Sequence, residues 1–200
     1  MNLPTIPGPA GTIEATLDLV EGSSRGAVVC HPHPLYGGTM YDAVVGCLSN
    51  GFTAGGVSSL RFNFRGVGKS SGSHDRGEGE GEDLLAVCDW FRDHHALDSL
   101  YVAGYSFGAG VTLQVAPRID CQGIVLVAPP MQMVGDLAPT DLPMLVVLGD
   151  EDRIVDPGAL QSHFSGYPNV SVKLIPGADH FFVTAGTDIT AAVTEFVSGT

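Results

Sequence analysis

The sequence predicts an α/β fold: a mostly parallel sheet of about seven strands with helices on both faces. Three observations carry that expectation. Short apolar runs alternate with helical segments along the whole chain. Most of these runs are apolar throughout, as strands buried on both faces are. The first strand instead alternates with period two, the pattern of a half-buried strand.

The elements follow in order. Residues 12–19 (TIEATLDL) form the alternating strand and residues 26–30 (GAVVC) a fully buried one. Residues 41–54 read as a helix, and residues 57–64 (VSSLRFNF) as a strand. Over residues 80–94 a helix places Leu84, Leu85, Val87, Cys88 and Phe91 on one face. Its acidic first turn suits the positive end of the helix dipole. Strand 100–105 (LYVAGY) leads into a helix over 107–116. Residues 123–127 (GIVLV) and 144–148 (MLVVL) are strands, 157–164 a helix, 170–175 (VSVKLI) a strand and 187–197 a closing helix. No internal repeat or linker interrupts the series, so a single domain over residues 1–200 is expected.

Composition excludes several function classes. Hydrophobic residues make up 44% of the 200 residues and charged residues 16%, against roughly 25% charged in an average soluble domain. Disorder needs the opposite balance. The net charge of −13 repels phosphate backbones and anionic lipid, so no nucleic-acid or membrane-surface partner is expected. Residues 1–11 lack the basic start and apolar stretch of a signal peptide, and no apolar run approaches the ~18 residues of a membrane span. A cytoplasmic protein is expected, and the sequence is compatible with a homo-oligomer. Cys30, Cys47, Cys88 and Cys121 lie in or beside apolar segments without C-x-x-C spacing, which reads as buried free thiols.

The chemistry concentrates in a few loops. Gly104-Tyr105-Ser106-Phe107-Gly108 has the form G-x-S-x-G, between a buried strand and a helix rich in small residues. A strand that turns sharply into a helix strains its corner residue and lifts it out of the sheet. The helix N-terminus then points its amides at any oxyanion formed there. Ser106 is thus a nucleophile candidate. A serine hydroxyl needs a base to take its proton, and His180 is the best placed of seven histidines. It lies just past the carboxyl end of a strand, where α/β sites form. An orienting acid is expected among Asp150, Glu151, Asp152 and Asp156, after strand 144–148. Generic physics does not choose among these four. Asp156 before Pro157 looks like a helix cap.

Two near misses are informative. Gly68-Lys69-Ser70 resembles the end of a phosphate-binding loop, but Asn63 stands where the first glycine is required. His31-Pro32-His33 could ligate one ion from an extended segment, yet no further ligand cluster completes a site, so no metal is expected.

Four motifs in register resemble the α/β-hydrolase superfamily over nearly the whole chain. They are residues 31–40 (HPHPLYGGTM), residues 62–72 (FNFRGVGKSSG), the elbow around Ser106, and GDEDRIV with GADHFF. Their combination is similar to small cap-less bacterial serine hydrolases related to dienelactone hydrolases. The resemblance implies the α/β-hydrolase fold without a cap domain, and selects Asp152 as the acid. Asp156 departs from the proline of relatives. The oxyanion donors are then the N–H of Phe107 and one from the loop holding His33, Leu35 and Tyr36. Alignment with the family favours His33, and the prolines leave Leu35 and Tyr36 open. Arg65 reads as a structural anchor rather than a site residue.

The implied activity is hydrolysis of small or short-acyl carboxylic esters through an acyl-enzyme, without a cofactor. Thioester, lactone or peptide cleavage and perhydrolysis share the same triad, and a non-catalytic binding protein shares the scaffold. Residues 128–143 are too few for a cap, so an open cleft is expected. Met131, Phe181 and Phe182 are its expected substrate contacts, with Leu35, Tyr36, Phe107 and Met133 as further apolar lining.

Overall fold

The structure, a computed structural model, describes residues 4–135 and 141–199. Eight strands form one sheet: β1 (Thr5–Gly8), β2 (Gly11–Asp18), β3 (Arg25–Cys30), β4 (Ser58–Phe62), β5 (Ser99–Tyr105), β6 (Gly123–Val127), β7 (Met144–Gly149) and β8 (Val170–Ile175). Their spatial order is β1-β2-β4-β3-β5-β6-β7-β8. The β1–β2 and β2–β4 pairs are antiparallel and all others parallel.

The eighth strand is β1, in the Pro/Gly-rich start that the sequence pattern passes over. Its one strong apolar contact is Ile6, which is fully buried. Antiparallel pairing with β2 ties these four residues down.

Among the described residues, six helices cover the faces: α1 (Ala43–Ala54), α2 (Glu78–His95), α3 (Phe107–Val115), α4 (Met131–Val134), α5 (Pro157–Phe164) and α6 (Gly186–Ser198). Helix α1 starts two residues later than its apolar pattern because Asp42 caps it, accepting the Val44 N–H at 2.9 Å. Helices α1 and α6 meet closely at Gly51, where a Cβ would stand 2.6 Å from Val193. The short α4 lies in the 128–143 segment, of which residues 136–140 fall outside the described part.

Phe52, Phe62, Phe64, Phe91 and Tyr101 have no exposed surface. Each such side chain stabilises the core by about 1.5–3 kcal/mol relative to exposure. Cys30, Cys88 and Cys121 are buried free thiols, whereas Cys47 is only half-buried. Burial pushes the Cys30 thiol up to about 12 and Cys121 to about 11, so both stay protonated and inert. Among the described residues, no helix is long and apolar enough to cross a membrane.

Register places the loops. Cys30 pairs with Gly104, so the chain leaves β3 and β5 side by side. Gly149 pairs with Ile175, which sets the loops after β7 and β8 together. Strand β6 lies between the two pairs.

Candidate active site

Ser106 links β5 to α3 with φ 52° and ψ −120°, a strained conformation for a residue with a side chain. The strain is enforced by backbone approach on both sides. A Cβ on Gly104 would run into the Gly108 carbonyl, and one on Gly108 would lie 2.5 Å from the His31 carbonyl oxygen. The Ser106 N–H donates to Val127 O at 2.8 Å, fixing the corner to β6.

His180 Nε2 lies 3.1 Å from Ser106 Oγ, and His180 Nδ1 lies 2.7 Å from Asp152 Oδ2. A carboxylate only accepts, so Nδ1 carries the proton and the Nε2 lone pair faces the hydroxyl. His180 is 5% exposed and Asp152 7%. Tyr105 anchors the histidine loop by donating its hydroxyl to His180 O at 2.8 Å. Burial pushes that phenol well above its ordinary range, so it remains a donor.

The other three acids are otherwise placed. Asp150 accepts the Gly177 N–H at 2.7 Å, and Asp156 caps α5 through the Ala159 N–H at 3.0 Å. The Glu151 side chain is exposed. Asp152 directs its second oxygen to the N–H groups of Ile154 (2.7 Å) and Val155 (3.0 Å), which hold the carboxylate in its aim.

Phe107 N–H opens α3 and has no acceptor among the described residues. In the loop after β3, a 3-10 turn at Pro34–Tyr36 consumes its own amides. Leu35 N–H donates to His33 Nδ1 at 3.2 Å, and Tyr36 N–H to His33 O at 3.1 Å. That leaves the His33 N–H as the uncommitted donor of the three. The His33 ring packs 4.8 Å from that of Phe107. His31 is spent on structure. Its Nδ1 lies 2.6 Å from Pro32 O, and its Nε2 accepts the Phe64 N–H at 3.0 Å. Arg65 is likewise structural, binding Asp83 through Nε (3.0 Å) and Nη2 (2.8 Å).

A cleft of about 670 Å3 opens over Ser106, within the usual range for small-molecule sites. Phe181 and Tyr36 stand at its rim, 60% and 88% exposed. Phe182 does not line it. At φ 50° its ring turns inward, 3% exposed, against Tyr105. Met131 and Leu35 also lie outside the wall; Met133 lines it as expected, and Ile154 lines it unexpectedly. Two groups that carry charge or a proton, His74 and Arg76, complete one side.

A family model described as the α/β-hydrolase fold matches residues 50–143. A lidless α/β serine hydrolase from Xanthomonas campestris superposes with a TM-score of 0.91 at 35% identity, over 98% of this chain and 93% of that one. The chain belongs to the α/β-hydrolase family. An α/β serine hydrolase homologue from Coxiella burnetii matches equally well, with a TM-score of 0.91 and 35% identity over 97% of this chain and 96% of that one. An uncharacterised protein of Rickettsia prowazekii is 32% identical over 95% of this chain and 86% of its own length.

Sequence reasoning missed His74, Arg76 and Ile154 as members of one wall, whereas Met133, expected as lining, is part of it. The local signal is Glu80 at the start of α2, whose carboxylate accepts the Gly77 N–H at 2.8 Å as one half of a capping box does.

Proposed function

We propose that the protein is a serine hydrolase that cleaves small, short-acyl carboxylic esters through an acyl-enzyme. The unbroken hydrogen-bond series Asp152–His180–Ser106 carries this reading. Ser106 Oγ attacks the ester carbonyl while Nε2 takes its proton. The oxyanion binds the N–H groups of Phe107 and His33. Nε2 then returns the proton to the leaving alcohol, and water repeats the sequence to release the acid. Asp152 keeps the imidazole in the required tautomer and stabilises its charge. Each oxyanion donor is worth about 3–4 kcal/mol in such a site.

The wall of Pro130, Met133, Ile154 and Phe181 accepts a small apolar group. The open cleft gives a long chain little to bury against. Activity on p-nitrophenyl esters should fall steeply with acyl length, and faster turnover of long chains would contradict the reading. A fluorophosphonate should label Ser106, and Ser106→Ala should abolish both labelling and turnover. A folded wild-type protein that neither labels nor hydrolyses esters would point to a binding role on the same scaffold.

A further inference from the structure

The 74–77 loop is built more tightly than its polar sequence implies. Glu80 is fully buried, and its carboxylate accepts the N–H of Asp75 at 2.9 Å and of Gly77 at 2.8 Å. These two bonds bracket Arg76, which is held at φ 56°, a conformation that residues with side chains rarely adopt. Burial pushes the Glu80 carboxyl up, but the backbone donors and His74 outweigh it and hold it below its ordinary value. His74 Nδ1 lies 2.8 Å from Glu80 Oε1. The His74 ring packs against His33 at 4.9 Å and Phe107 at 5.5 Å. The loop is therefore fixed to both residues that supply the proposed oxyanion donors.

Backbone strain persists only where its surroundings over-determine it, and it gathers at functional positions. Here the buried clamp presents an arginine to the cleft that holds Ser106. Among the described residues, no carboxylate lies within ion-pair distance of Arg76, whereas Arg61, Arg65 and Arg118 are all paired. The acid in the cleft wall, Asp42, is occupied as the cap of α1. With a net charge of −13, the molecule otherwise repels anions. An unpaired guanidinium supplies a positive charge in the cleft, and its planar fork matches a carboxylate.

We propose that Arg76 forms an anion subsite, and that the preferred substrate is a short ester carrying a free carboxylate, such as a monoester of a short dicarboxylic acid. The inference rests on the serine-hydrolase reading. Water cleaves the ester bond to give a dicarboxylate and an alcohol, with one proton released.

Monoethyl succinate and ethyl butanoate share acyl length and differ in the terminal carboxylate. Their kcat/KM values can be compared by titrating the released proton. The wild type should favour the anionic ester about ten-fold or more at low salt, and less at high salt. Arg76→Gln should bring the ratio to about one through a higher KM for the anionic ester, and Arg76→Lys should keep part of the preference. Arg76→Gly should lose the preference while raising the melting temperature, because glycine relieves the left-handed strain. Melting curves and fluorophosphonate labelling establish that each variant is folded. Equal use of both esters by the wild type, or a preference surviving in Arg76→Gln, would overturn the subsite. A wild type inert to both esters and to the label would instead sink the serine-hydrolase reading, and this inference with it.

Discussion

The loop after β3 and the loop after β8 each carry a nearly buried histidine, His31 and His180, at the carboxyl end of the sheet. Their partners differ in kind. His31 touches the backbone with both nitrogens, Pro32 O on one side and Phe64 N–H on the other. His180 touches two side chains, Asp152 and Ser106. Backbone partners freeze one tautomer, because an amide N–H does not give up its proton. A hydroxyl partner can pass its proton on. Burial and position past a strand therefore do not assign chemistry to an imidazole, and the partners do. Burial shows its own effect at His31, whose pKa falls to about 4 despite the opposing pull of the Pro32 carbonyl.

The largest effect should come from breaking the side-chain pair. His180→Ala should lower kcat about a million-fold, as loss of a catalytic base does in serine proteases. Asp152→Asn should cost about ten thousand-fold, because the amide favours the wrong imidazole tautomer. Both are read by steady-state kinetics, with thermal melting to show that the fold persists. The backbone pair should respond in stability instead. His31→Gln should leave the Phe64 N–H poorly satisfied and destabilise by about 1–3 kcal/mol in denaturant titrations. An equal loss of kcat in folded His31→Gln would erase the contrast between the two loops.

The same contrast appears in pH dependence. Folded His31 titrates near 4, against its ordinary 6.5. Between those values the unfolded chain takes up a proton that the folded chain refuses. The contribution is intact above pH 6.5 and is lost as pH falls toward 4, by roughly 3 kcal/mol in all. His31→Gln should flatten that slope in stability measured across the window. The smallest effect is expected at the rim. Phe181→Ala should raise KM a few-fold and change stability by about 0.5 kcal/mol or less, since its ring is largely exposed.

Seven of the eight described strands and the five longer helices were legible in the sequence, from apolar runs for the buried parallel strands and from period-two alternation for β2. Strand β1 was not, since four residues with a proline carry no periodicity and depend on pairing with β2. Ser106 and His180 were legible because each sits at a strand's carboxyl end, where topology sets position. The choice of Asp152 needed the family resemblance. Its physical basis is the pair of amides at Ile154 and Val155, which no sequence pattern displays. Phe181 and Phe182 are adjacent phenylalanines, and only the left-handed turn at Phe182 decides which ring faces the cleft. His74 and Arg76 stayed hidden because a buried glutamate four to six residues downstream fixes them, and glutamates are usually read as surface.

Ser106 and His180 stand 74 residues apart in the chain. The histidine loop follows β8, an edge strand that must dock on β7 before the imidazole can reach the hydroxyl. A polypeptide emerging during synthesis thus has Ser106 well before it has the imidazole that the proposed mechanism uses as its base. The hydroxyl is chemically ordinary until the C-terminal strand joins. Catalytic competence should therefore return only once β8 has paired with β7, however complete the central strands are.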